Sequence, residues 1–426
     1  MHTFKDFNIE LEETTLSNGI RVLLLKKENA PICIEVAFAS GSSFDPEGKE
    51  GLSHFTEHMI LAGTKTFPSK DKLASYIENI GGVIGARTSP EFLSVRVEIV
   101  DKDDLECVGT ILKEVFTQSL FTQNSIEIER KAILSEINNK VSSPSGYVWE
   151  IFKNIAFQKT VYEHNILGSK DSVKAITRGD LLSFYEEMLS SGRAIAVASG
   201  DIEIDELTRT IEDSITIKNS ESFNFDKEVE TIRDESIVIK KYPGQEVTHL
   251  IIGFRTCPIT DDDVSSLYVI SDILGGGRAS SLKKKMRYEK GLVYGVSANS
   301  VNFARAGFFS IKTSVSNKNL QESLDIITEE FNRVREGKIS EEELNFAKNR
   351  IIKSKKRKLQ TSESWVKEHI SNYLAGNLVT VPDELNDLEK ITLKELGRVG
   401  EKYFKKDSWY LAMCGDVEEK DFSINF

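Results

Sequence analysis

The chain repeats itself, and no other feature limits its fold as much. AIAVASGDIEIDEL, centred on Asp201, is matched by WYLAMCGDVEEKDF around Asp416, 215 residues later. VLLLKK, ending at Lys27, is matched by IVIKK, ending at Lys241, 214 residues later. Separate stretches that share an offset mean one plan used twice. A copy of about 210 residues is long enough to bury a core of its own, so two homologous halves are expected. Residues 217–234 are polar, charged and weakly periodic, and read as the linker. That leaves 1–216 and 235–426 as the domains.

Each half runs through a similar series. Runs of β-branched and apolar residues bounded by turn residues predict strands at 20–25, 31–40, 83–88, 92–100 and 194–199. The second half has them at 236–241, 248–255, 294–301, 307–315 and 409–414. Helical periodicity marks 69–80, 103–119, 123–140, 145–157 and 178–189, then 264–274, 280–288, 318–336, 340–358, 363–375 and 392–404. The expected class is α+β: two α/β-sandwich-like domains, each a mainly antiparallel sheet packed against helices. Gly275-Gly276-Gly277 follows a helix and lacks the phosphate-loop lysine, so it reads as a turn between helices.

Only the first half carries GLSHFTEHMILAGT, Gly51 to Thr64. On a helix His54 and His58 share a face, one turn apart, and two imidazoles so placed can hold a divalent metal. Glu57 leans toward that face and could take a proton from a metal-bound water. With six histidines in 426 residues, a chance H-x-x-E-H is improbable, on the order of a percent. A catalytic zinc needs a third protein ligand. The 123–140 helix offers Glu127, Glu129 and Glu136. Glu129 and Glu136 are two turns apart on one face, so either could reach the metal while the other orients an imidazole. Spacing does not choose between them. Glu127 reads as solvated.

The net charge of −12 argues against nucleic acid as a partner. No apolar run reaches membrane-spanning length. The polar, acidic N-terminus lacks the charged start and apolar core of a secretory signal, and the expectation is a cytoplasmic protein. Cys33, Cys107, Cys257 and Cys414 are scattered in or beside apolar runs, and read as buried free thiols. His164, His249 and His369 have no partner at ligand spacing.

These motifs together resemble the inverted-motif zinc metallopeptidases that include pitrilysin, insulin-degrading enzyme and mitochondrial processing peptidase. LAGTKTFP, Leu61 to Pro68, resembles the family as well. The resemblance implies Zn²⁺ held by His54, His58 and Glu136, with Glu129 in the supporting position. MRYEKGLVYGV holds Arg287 and Tyr294 seven apart, as the family does in its second-type domain. There the tyrosine stabilises the tetrahedral oxyanion and the arginine contacts the peptide. Gly85, Ala86, Arg87 and Thr88 fall on the strand that pairs with an extended peptide substrate, with Gly85 where the family usually has Asn. The implied function is a zinc-dependent endopeptidase of short or unfolded peptides, from the half-size, processing-peptidase-like branch. Glu57 would activate a zinc-bound water. Half-size relatives pair, so a homodimer or a heterodimer with a homologous subunit is expected, with Arg287 and Tyr294 serving the partner's site. Two alternatives stand beside it: a non-catalytic or partner-dependent subunit of a heterodimeric peptidase, and a dedicated maturase of a bacteriocin-like peptide precursor.

Overall fold

ICIEVAF has one charged residue, Glu35, in seven, and a strand so apolar must be covered on both faces. In the computed structural model, which describes residues 2–4, 7–190, 194–215, 229–231, 233–376 and 378–426, it is buried at every position. It lies inside a seven-stranded sheet built from β1 (His2–Phe4), β2 (Ile9–Thr15), β3 (Arg21–Lys26), β4 (Ile32–Phe38), β5 (Val83–Thr88), β6 (Leu93–Ile99) and β7 (Ala194–Gly200). The order is β1-β2-β3-β7-β4-β6-β5. All neighbours are antiparallel except β3 and β7.

A second sheet contains β8 (Ile237–Lys241), β9 (Val247–Thr256), β10 (Val293–Asn302), β11 (Gly307–Ser316) and β12 (Trp409–Gly415). Its order is β10-β11-β9-β12-β8, and only β12 and β8 are parallel. Reversed, this is the order β3-β7-β4-β6-β5 of the first sheet, parallel pair included. The sequence repeat is therefore a repeat of topology, and β5 and β10 both end up as edge strands.

The described residues fall into two compact units, one within Met1–Asn138, His164–Phe225 and Lys356–Val379, the other within Asn139–Glu163, Asp226–Lys355 and Thr380–Phe426. Each half of the sequence thus lends one helical segment to the other's unit. In the first unit the Ser362–Leu374 helix packs on β4 and β7, with Trp365 and Tyr373 buried. The Tyr373 hydroxyl donates to Glu13 at 2.8 Å, and Arg21 donates to the Tyr373 carbonyl at 2.6 Å. In the second unit the Pro144–Ala156 helix packs on β9 and β12, where Val148 and Phe152 join Ile251, Tyr410 and Cys414 in one apolar cluster. The physical reason is the two-sided apolarity of the central strands, which a single layer of helices leaves half exposed. Periodicity shows that a helix has a buried face but not which sheet that face meets.

Other differences from expectation are local. The N-terminal stretch that read as merely polar and acidic forms β2, because buried Ile9 and Leu11 alternate with the half-buried Glu10 and Glu12. Short helices at Lys170–Ala175, Ile204–Glu212 and Val381–Lys390 went unforeseen. The helix beginning at Val264 continues through a π-helical segment, Asp272–Gly276, so the first two glycines of the triplet lie inside it and not in a turn. A Cβ on Gly275 would stand 2.0 Å from the Ala298 amide of β10, so the glycine serves close approach. All four cysteines are free, but Cys107 is only half-buried. Residues 217–228 and 232 of the expected linker lie outside the described residues. Among the described residues no helix is long and apolar enough to cross a membrane.

Candidate metal centre

The H-x-x-E-H stretch becomes the helix Leu52–Ile60 for identifiable local reasons. Gly51, just before it, sits at φ +92°, and a Cβ there would also stand 2.7 Å from the Leu167 carbonyl oxygen. Only glycine meets both conditions. The Asp45 carboxylate accepts from the Gly51 and Ser53 amides at 2.7 and 2.8 Å, satisfying donors that the first turn leaves open. Leu52, Phe55 and Met59 enter the core of the first unit. His54 and His58 come together, ring centroids 4.7 Å apart.

The long helix Gln123–Ser142 brings the glutamates. Glu136 faces both imidazoles: its carboxylate is 3.8 Å from His54 Nε2 and 3.9 Å from His58 Nε2. Donor atoms of the three residues all lie within 4.8 Å of one another. Zinc ligands at tetrahedral angles stand about 3.4 Å apart, so the spacing of the three side chains is near that of a ligand set. Two imidazole nitrogens and one carboxylate oxygen, with a fourth position open, match the donor chemistry of a catalytic zinc site.

Glu129 is placed differently. Its Oε2 is 2.7 Å from His58 Nδ1, on the ring side away from Glu136. That partner favours the tautomer with hydrogen on Nδ1 and the lone pair on Nε2. The bond to His58 holds the Glu129 carboxyl below the usual range. Glu127 instead pairs with Arg130 at 3.4 Å on the same helix.

Glu57 lies half-buried beside the group. Burial pushes its carboxyl up, against hydrogen bonds from Thr88, while His58 and Glu136 act on it with opposite signs. The Thr88 hydroxyl donates to Glu57 Oε2 at 2.6 Å. Thr88 ends β5, whose outer edge has no strand beside it among the described residues. Side chains alternate along it, so Thr88 and Ala86 share one face, Gly85 and Arg87 the other. The Arg87 guanidinium donates to buried Glu35 at 2.8 Å, and Ser94 donates to the same carboxylate at 2.6 Å. Arg87 is thus engaged within the sheet. A Cβ on Gly85 would meet nothing within 4 Å.

Arg287 and Tyr294 belong to the second unit. Arg287 is carried by the π-helical segment Lys283–Glu289, and Tyr294 by β10. The guanidinium lies 4.9 Å from the centre of the Tyr294 ring, and Tyr294 is 87% exposed. The segment is pinned by Glu330, which is fully buried and pairs with Lys285 and Arg333, both at 2.9 Å. Burial pushes the Glu330 carboxyl up, but Arg333, Ser281 and Lys285 more than reverse this and leave it below its usual value of 4.5. A depressed carboxyl contributes in full above its unfolded value and loses that contribution as the pH falls. Glu330→Gln should cost on the order of 2–3 kcal/mol at neutral pH, since both cations stay partly hydrated. Urea unfolding at pH 7 and at pH 3 measures it: the gap from the parent chain should shrink at pH 3.

The repeat offset locates residues that the motif reading missed. At 214 residues beyond His54, His58, Glu129 and Glu136 stand Tyr268, Asp272, Glu343 and Arg350. Arg350 Nε donates to Asp272 Oδ2 at 2.8 Å, and a second guanidinium nitrogen meets Oδ1. Glu343 pairs with Arg333 at 3.0 Å. A Cβ on Gly276 would stand 2.4 Å from the Arg350 guanidinium, so the second glycine of the triplet makes room for it. Where the first unit gathers metal donors, the second has an ion pair. Among the described residues only His54, His58 and Glu136 form a group able to hold a metal.

Comparison with known proteins agrees with this division. Residues 21–170 match the model of the insulinase family, peptidase family M16, and residues 175–351 match that of the peptidase M16 inactive domain. A Bacillus subtilis protein named as an uncharacterized zinc protease is 23% identical over 402 residues, 93% of this chain and 96% of that one. The beta subunit of the mitochondrial-processing peptidase of Dictyostelium discoideum is 29% identical over 269 residues, 62% of this chain and 57% of that one. Among solved structures, a peptidase M16 inactive domain from Pseudomonas fluorescens superposes with a TM-score of 0.87 at 18% identity, covering 96% of this chain and 99% of that one. A protease from Helicobacter pylori gives 0.86 at 19% identity, covering 95% and 99%.

Proposed function

The chain belongs to the peptidase M16 (insulinase) family, and from that premise we propose that it is a zinc-dependent endopeptidase acting on short or unfolded peptides. The observation that carries this reading is the convergence of His54, His58 and Glu136 with Glu57 at the end of an open sheet edge. His54, His58 and Glu136 would hold the metal, and Glu129 orients His58. Zinc bound there would supply Lewis-acid chemistry, making an attacking water easier to deprotonate. Glu57 takes one proton from that water as its oxygen bonds to the carbonyl carbon, then delivers it to the amine nitrogen as the C–N bond breaks. The backbone of β5 at Gly85–Thr88 pairs with the peptide, which must therefore be extended. Tyr294 donates to the oxyanion, and Arg287 contacts the peptide. The purified protein tests this directly: zinc content and cleavage of an unstructured peptide pool, lost to a chelator and restored by zinc, are expected. Absence of both would sink the reading.

We place Arg287 and Tyr294 of one chain at the metal group of a second copy, as a homodimer. Two inactive parents then complement each other. A Glu57→Gln chain mixed equally with a Tyr294→Phe chain should regain about a quarter of the parent's sites if subunits pair at random. A mixture no more active than its better parent would show that each chain serves itself. The second reading, a partner-dependent subunit, is supported by the similarity to a processing-peptidase beta subunit. It predicts that the purified chain binds zinc but cleaves only after a homologous partner is added.

A further inference from the structure

Thr88 holds a position that backbone pairing alone does not require. Its main chain closes the β5–β6 ladder opposite Leu93, and its side chain turns toward the motif helix. There the hydroxyl donates to Glu57 Oε2 at 2.6 Å. The two residues are 31 apart in sequence and come from different elements, an edge strand and a helix. A glutamate side chain has three rotatable torsions, and Thr88 is the tether that fixes this one.

We propose that Thr88 is a positioning residue: it locks the Glu57 carboxylate to the strand on which the peptide lies, so that base and scissile bond share one frame of reference. The inference rests on the peptidase reading above. A peptide paired to β5 takes its register from that strand's backbone, whereas Glu57 is carried by the Leu52–Ile60 helix. Any slide of helix against strand changes the distance between base and carbonyl. An error of about 1 Å there costs about 100-fold in rate. The hydroxyl bridges the two elements at the point where the error would matter.

Two substitutions separate this role from a structural one. Thr88→Val keeps the β-branched shape, and hence the strand and the backbone donor to Glu57, while removing the hydroxyl donor. Thr88→Ser keeps the donor. Thr88→Val should lower kcat about 10- to 100-fold, with KM and zinc content unchanged, and Thr88→Ser should recover most of the rate. On the Glu57→Gln background, where cleavage is too slow to consume the peptide during a binding measurement, adding Thr88→Val should leave peptide affinity as it was. A loss equal in the serine and valine variants would overturn the inference. So would a loss confined to KM, peptide affinity or zinc, or no loss at all. If the parent chain itself shows no zinc-dependent cleavage, the peptidase reading fails and this inference falls with it; an active parent with an indifferent Thr88→Val sinks the inference alone.

Discussion

A Glu57→Gln chain should retain its zinc and lose about 10³- to 10⁴-fold in kcat/KM toward an unstructured peptide. Glutamine has the shape of glutamate, and its amide oxygen can still accept from the Thr88 hydroxyl, so the side chain keeps its place. What it cannot do is receive a proton from water and give it to a leaving amine. Glu57 is also not one of the three donors that face one another, so metal binding has no reason to change. Elemental analysis alongside steady-state kinetics reads both quantities on one preparation. Undiminished turnover would remove Glu57 from the chemistry. Loss of zinc along with turnover would make it a ligand and displace Glu136 from that role.

The second large effect is a ranking of zinc affinities. His58→Ala and Glu136→Gln each remove a donor from a three-residue set, and should bind zinc far more weakly than the parent. Glu129→Gln removes only the anionic partner of His58 Nδ1 and should cost about 10- to 100-fold in affinity. Competition against a chromophoric chelator resolves these steps. The order tests the geometry: if Glu129→Gln were stripped of zinc while Glu136→Gln held it, the two glutamates would have to exchange roles.

Those two glutamates also show where sequence reasoning stops. H-x-x-E-H sets His54 and His58 on one face through helical spacing alone, and the structure has their rings adjacent. Glu129 and Glu136, two turns apart, share a face equally well. Which one meets His58 Nε2 depends on how far the long helix slides along its neighbour, a tertiary quantity. Most strands were legible because β-branched runs end at turn residues. β2 was not, because its glutamates hide the alternation of Ile9 and Leu11. The exchange of the Pro144–Ala156 and Ser362–Leu374 helices was invisible for the same kind of reason: amphipathicity names a buried face without naming its partner. Gly275 and Gly276 look like a flexible turn in one dimension, but the demand on them comes from Ala298 and Arg350, distant in sequence. The Asp272–Arg350 pair was present in the sequence all along, and becomes visible only when the repeat offset is applied to the motif itself.

That pair bears on how a newly made chain matures. A metal group is completed from outside, at the mercy of supply, competing ions and chelators. A guanidinium is synthesised in place and stays protonated at any physiological pH. On the peptidase reading, the first unit would take up its cation after synthesis, while the second carries one in Arg350, paired with Asp272. Scarcity of zinc would therefore leave the chain lopsided, one unit finished and the other waiting.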